Sequence, residues 1–399
     1  MLKNKLIYLC SLILIGTLAI LYNEYYTGVI FIVWLVIPPI LFIILVITWN
    51  NVKVKFVTNS SVVNKDEFFD ISIIIKNKSL LPVSRMDILL AYGNQYGNDT
   101  IKEKIQISMD KLCKQEVSTR VSSSYCGNLT FQLKTIKVYD FFHMFNLTKR
   151  LSKSITISVL PICYSLEDFI TENVTFLSDS NEFSPYKSGD DPSEVFQIRE
   201  YREGDKTSRI HRKLSYKYNE MMMKEYSYPI NTKILTLIDL YCGENKGNKI
   251  EIVDSLLHVL MSVSMLGVVN NYKQSVFYKM NGLDCMEKGI SSESEIYELF
   301  ESLYALDIPK DFNSVVPLHL DYNSNERYSH MTLICYSIDT EGIIKWINAH
   351  QGTMTTVMYV NYLDINPIAE EDKSLLESLN INIFEIDIRN MKDNLDTLI

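Results

Sequence analysis

Glycine and proline are scarce, at 14 and 10 of 399 residues, while 47% of positions are apolar and 22% charged. That balance excludes a collagen-like, low-complexity or disordered chain. The 7 cysteines are odd in number, widely spaced and never in a CxxC pair, so neither a disulfide framework nor a zinc site is expected. They fit reduced thiols in a cytosolic setting. No Walker A loop, dinucleotide glycine pattern, G-x-S-x-G elbow or H-E-x-x-H helix occurs, which removes nucleotide, serine-hydrolase and zinc-protease chemistry. No internal repeat is visible, and at roughly 150 residues per domain the length leaves room for two or three domains.

Charge is unevenly spread. Residues 1–51 carry 2 basic and 1 acidic side chain, residues 52–165 carry 16 and 9, and residues 166–399 carry 21 and 38. A mildly basic module thus precedes one of net −17, and nucleic acid is not an expected partner for that acidic surface.

Two long uncharged runs, Leu6 to Tyr22 and Val29 to Thr48, lie near the N-terminus, each long enough to span roughly 30 Å of hydrocarbon as a helix. Pro38 and Pro39 would kink the second run, which neighbouring helices or waters can accommodate. Lys3, Lys5, Lys53 and Lys55 flank the pair, while the residues between carry Glu24 and no cation. The positive-inside rule then predicts a multi-pass hairpin in the cell membrane with both termini cytoplasmic. A cleaved signal peptide is the competing account, disfavoured because no small-x-small site follows and a second apolar span comes at once. The Asn-x-Ser/Thr triplets at Asn59, Asn77, Asn98, Asn128, Asn146 and Asn173 are read as coincidence in a cytoplasm-facing chain.

Four segments are expected: a transmembrane helical hairpin over 1–51, an antiparallel β-sandwich over 52–165, a connecting segment over 166–232, and a doubly wound α/β domain over 233–399. Seven short β-rich runs from Val54 to Leu160, without a long helical period, point to the sandwich. A polar loop from Ser178 to Pro192 follows it. From Ile234 to Ile388, continuous apolar strands alternate with helical spacing, as at Ile250, Val253, Leu256, Leu257, Leu260 and Val263, which predicts an open sheet with its functional edge at the strand C-termini.

The connecting segment is the most unusual stretch. Between Arg199 and Lys224 it holds eight Lys/Arg against Glu200, Glu203, Asp205 and Glu220. An ion-paired strap stapling the acidic domain to its neighbour is the first reading. A surface for anionic lipid headgroups is a second. An enzyme site joining Asp205, His211 and Asp239 is a third. His211 and Ser215 stand at i, i+4, His258 falls inside a helical run, and Met221 to Met223 reads as a buried strand edge.

This segment resembles the signature of the bacterial membrane proteins carrying the domain of unknown function 58, of the form R-E-Y-x-x-G-D-x-x-x-x-I-H-W-K-x-S-A-[RK]. The matches are Arg199, Glu200, Tyr201, Gly204, Asp205, Ile210, His211, Lys213, Ser215 and Lys217, with Arg212 and Tyr216 departing from it. Val138 to Phe145 and Val159-Leu160-Pro161 resemble two weaker family features. The resemblance implies a C-terminal von Willebrand factor A-like domain and a MoxR-type AAA ATPase and transglutaminase-like membrane proteins as associates. Such domains often hold Mg²⁺ through D-x-S-x-S after the first strand. Here that position reads Asp239-Leu240-Tyr241-Cys242-Gly243, without either serine, and Asp339 would have to help Asp239 almost alone. No cofactor is therefore expected, Mg²⁺ included, and the expectation is a membrane-anchored, non-enzymatic scaffold or adaptor acting in assembly or maturation of a protein complex.

Overall fold

The computed structural model describes residues 2–387 apart from 23, 59, 98, 165–182, 190, 203–204, 230–232, 244–248, 281–283, 310, 324–325, 327, 351–352, 363–367 and 380. The chain divides into two compact units, Met1–Pro161 and Ile162–Ile399.

The first unit begins with two apolar helices, α1 (Leu2–Tyr22) and α2 (Tyr25–Asn51), each long and apolar enough to cross a bilayer. They pack as a hairpin: Tyr8 stacks on Trp34 with ring centroids 5.8 Å apart and donates its hydroxyl to the Trp34 carbonyl, while Trp34 Nε1 donates to Ser11 Oγ. Pro38 and Pro39 lie inside α2, which continues through them to Asn51.

The helix passes directly into β1 (Val52–Thr58), the edge of a three-stranded antiparallel sheet with β3 (Phe69–Asn77) and β6 (Lys114–Val121). A five-stranded sheet faces it, ordered β2 (Val62–Asn64), β8 (Asn146–Leu160), β7 (Gly127–Tyr139), β4 (Val83–Asn94), β5 (Ile101–Met109). The period-2 alternation of β3 aims Ile71, Ile73 and Ile75 into the shared core with Ile88, Leu90 and Phe131. Leu45, from the last turns of α2, belongs to that same core.

In the second unit, the stretch expected to be only a connector contains a sheet of its own. β9 (Phe183–Gly189), β10 (Asp191–Glu200) and β11 (Met222–Pro229) pair antiparallel in the order β10-β11-β9. The polar loop read over 178–192 is thus strand in its described part. Met222 and Met223 lie on the central strand rather than an edge, with Met223 buried and Met221 exposed. A short helix α3 (Arg212–Tyr218) precedes β11.

The remaining sheet is ordered β14 (Cys285–Ile290), β13 (Gln274–Lys279), β12 (Ile234–Ile238), β15 (His330–Cys335), β16 (Met354–Asn361), β17 (Ile381–Asp387). Every neighbour pair is parallel except β13 with β14. One face carries α6 (Val315–Tyr322), α7 (Thr340–Ala349) and α8 (Glu370–Ser378), whose Val315, Val316, Ile343, Trp346 and Leu376 share a core with Leu235, Leu237, Leu333 and Val357. α4 (Lys249–Val269) contacts β15 and β16, and α5 (Glu293–Tyr304) packs beside α4. By composition α4 could also cross a membrane, yet it is buried on nearly all sides within this unit.

Candidate functional site

The signature residues build a local brace. Arg199, near the end of β10, donates Nη1 and Nη2 to the two Asp205 oxygens at 2.7 and 2.9 Å, and Nε to Glu225 of β11 at 2.6 Å. The Arg202 amide adds a 2.8 Å bond to Asp205. These donors hold the Asp205 carboxyl down to about 2 and lower that of Glu225. The Arg199 fork is therefore satisfied inside its own module: its acidic partners are Asp205 and Glu225, not carboxylates of the α/β domain. Arg209 lies over the Tyr226 ring, 5.4 Å from its centroid.

His211 sits at the N-cap of α3, where its Nδ1 accepts from the Leu214 amide at 3.2 Å. Ser215 Oγ donates to the His211 carbonyl and accepts from the Met222 amide at 2.9 Å, tying helix to strand. Ile210 forms a bridge to Met223, and the Tyr201 amide bonds the Met221 carbonyl. Glu200 closes β10, and Lys213 and Lys217 lie on α3 with exposed side chains. Gly204 lies outside the described residues.

Asp239 belongs to a different place, the C-terminal edge of the α/β sheet between β12 and β15. The chain order reverses there, the position at which open α/β sheets present ligand crevices. Its amide bonds the Ile334 carbonyl at 3.0 Å, and its Oδ1 accepts from the Tyr241 amide at 3.0 Å. Burial lifts its carboxyl to about 6, against the Tyr241 amide bond and the Lys279 charge. Its neighbours are poor partners for a hard cation. Cys242 is buried, with its thiol pushed up to about 12, Cys335 is buried and raised as well, and Tyr241 turns its ring toward Phe312 at 5.3 Å. Asp339 is occupied as the N-cap of α7, accepting from the Gly342 amide at 3.0 Å. Asp205, His211 and Asp239 thus serve three separate local structures, and no group of three or more His, Cys, Asp or Glu suited to a metal occurs among the described residues.

A polar chain at the opposite edge of the sheet escaped the sequence reading. Trp346 Nε1 donates to His319 Nδ1 at 3.2 Å, which leaves the proton of the neutral imidazole on Nε2, 3.2 Å from the Tyr328 hydroxyl. That hydroxyl donates to Glu326 at 3.1 Å, and Lys233 closes the chain by bonding Glu326 and Glu287. Burial holds His319 down to about 4. His258 of α4 bonds the Ile162 carbonyl at 3.0 Å and lies 3.4 Å from Asp254, a use within the fold.

No family model and no curated protein matches this chain. Among solved structures it is similar to the CARDB domain of a Pyrococcus furiosus protein, at 12% identity over 27% of this chain and 91% of that one, with a TM-score of 0.20. A cohesin module from Clostridium perfringens gives 10% identity over 27% and 96%, with a TM-score of 0.21. The alkylpurine DNA glycosylase AlkC of Pseudomonas fluorescens gives 14% over 27% and 30%, also at 0.21.

Proposed function

We propose that the protein is a membrane-anchored, non-enzymatic adaptor. Its hairpin crosses the membrane twice with both termini cytoplasmic, and its C-terminal domain is von Willebrand factor A-like, binding another protein through the sheet edge at Asp239 without metal. The partner implied by the signature resemblance is a MoxR-type AAA ATPase, acting in assembly or maturation of a complex. The observation that carries the reading is the edge itself: the sheet reverses its strand order between β12 and β15, and beside Asp239 the chain offers the aromatic pair Tyr241 and Phe312, 5.3 Å apart, in place of serine hydroxyls. Further support comes from the signature, whose Arg199, Asp205, His211 and Ser215 are spent on one another and on the backbone.

The test is co-purification of the full chain, solubilised from its own membranes, with a MoxR-type ATPase. Association should survive excess chelator and should be lost in Tyr241→Ala, whose melting temperature stays near that of the wild type. Loss on chelation, or saturable Mg²⁺ binding that Asp239→Ala abolishes, would overturn the metal-independent reading.

A further inference from the structure

We infer that the β7–β8 turn, Asp140 to Phe145, is a second membrane contact: Phe141 and Phe142 enter the headgroup region of the leaflet from which the hairpin emerges, and neighbouring cations meet anionic lipid headgroups. The inference rests on the reading that α1 and α2 span the bilayer.

The turn lies at the depth of the leaflet surface. Phe145 packs edge-on against Phe42 of α2 at 5.6 Å, Lys5 of α1 lies over the Phe145 ring at 5.5 Å, and Asn4 donates to the Phe142 carbonyl at 2.9 Å. The turn therefore sits level with Lys5, the last cation before the apolar run of α1. Phe42 precedes Thr48, the end of the uncharged run of α2, by six residues, about 9 Å along a helix. The turn reaches down beside the apolar helix pair to that depth, while the next turns of α2 bury one face in the sandwich through Leu45 and Thr48 and leave Ile43 and Ile47 exposed on the other. The bilayer surface and this turn consequently coincide.

The turn is also rigid. Asp140 is buried, and its oxygens accept from the amides of Phe145 at 2.6 Å and Phe142 at 3.2 Å, while its own amide bonds the Phe145 carbonyl. A turn so fixed holds Phe141 at 71% exposure and cannot fold it back into the core. Exposure alone does not single it out, since Phe68, on the loop at the opposite end of the sandwich, is 66% exposed. Position does. Charge agrees with position: Lys3 and Lys5 are exposed beside the turn, and Lys149 and Arg150 are exposed further along β8.

The full chain in nanodiscs of mixed phosphatidylcholine and phosphatidylglycerol carrying doxyl-labelled acyl chains tests this through tryptophan quenching. In the wild type, whose other tryptophans, Trp49 and Trp346, pack on the sandwich and α/β cores, quenching by deep labels reports Trp34 and with it the hairpin. Phe141→Trp should add a signal that shallow labels quench, more strongly than in phosphatidylcholine alone, and Phe68→Trp should add one that they leave untouched. Quenched Trp34 beside unquenched Phe141→Trp overturns the turn assignment while leaving the hairpin standing. Unquenched Trp34 overturns the hairpin reading and the inference together. A Phe141→Trp signal shielded from aqueous iodide but not quenched by lipid places a protein surface on the turn and also overturns it, and equal quenching in both lipids overturns the part given to the cations.

Discussion

At the scale of single residues, two aspartates show how surroundings decide what a carboxylate contributes. Asp205 is held down to about 2 by the Arg199 fork, so the stability it supplies is present above the ordinary aspartate range and is lost as pH falls toward 2. Arg199→Ala should lower the melting temperature at neutral pH and flatten this acid-side loss, both visible in unfolding curves taken across pH. Asp239 behaves in the opposite sense. Its carboxyl is raised to about 6 by burial, so the folded state holds the proton more tightly than the unfolded one, and stability declines as pH climbs from the ordinary carboxyl range to about 6. Asp239→Asn keeps an oxygen for the Tyr241 amide and removes that penalty. Stability at pH 7 should rise by up to about 3 kcal/mol, with no gain below the ordinary carboxyl pKa. A loss at pH 7 would instead mark a bound cation that depends on the charge.

At the scale of elements, α4 and β13 are locked by one glycine. A Cβ on Gly267 would fall 2.2 Å from Gln274 Oε1, and Gln274 cannot retreat because it is buried and donates to the Ser264 carbonyl at 2.7 Å. Gly267→Ala should cost roughly 1–3 kcal/mol by overpacking, despite the better helix propensity of alanine. Combining it with Gln274→Ala should give a total well short of the summed single losses, which chemical denaturation would measure. The elements most legible in the sequence were those with a single strong signal: the uncharged runs of the two N-terminal helices, the alternating β3, and the apolar run of β12. β14 was missed because Cys285-Met286-Glu287-Lys288-Gly289-Ile290 is an edge strand of mixed polarity, and α6 because Val315 to Tyr322 is too short to show a helical period. The brace was visible as a signature but its partner Glu225 was not, since antiparallel pairing brings it to Arg199 from 26 residues further along the chain. The His319 chain had no motif at all, being assembled from Lys233, Glu287, the Glu326–Tyr328 stretch and Trp346, far apart in sequence.

At the scale of the whole molecule, the hairpin orientation is open to direct test. Cysteines placed at Lys3 and Lys55 should resist an impermeant thiol reagent in intact cells and react after permeabilisation, whereas one at Tyr26, between the spans, should react from outside; the reverse pattern would invert the topology. The seam at Asn51 and Val52 then bears on how the protein is made. Leu45 completes a core whose last strand ends at Leu160, so this face of α2 leaves the ribosome well before the strands that cover it. At roughly 5–20 residues per second the delay is on the order of ten seconds. In the proposed membrane-spanning arrangement, the membrane is the natural refuge for these turns during synthesis, and the second span would first insert more deeply than it finally rests. Closure of the sandwich around Leu45 would then draw the helix outward, making folding of the β-module the step that sets how far the anchor sinks.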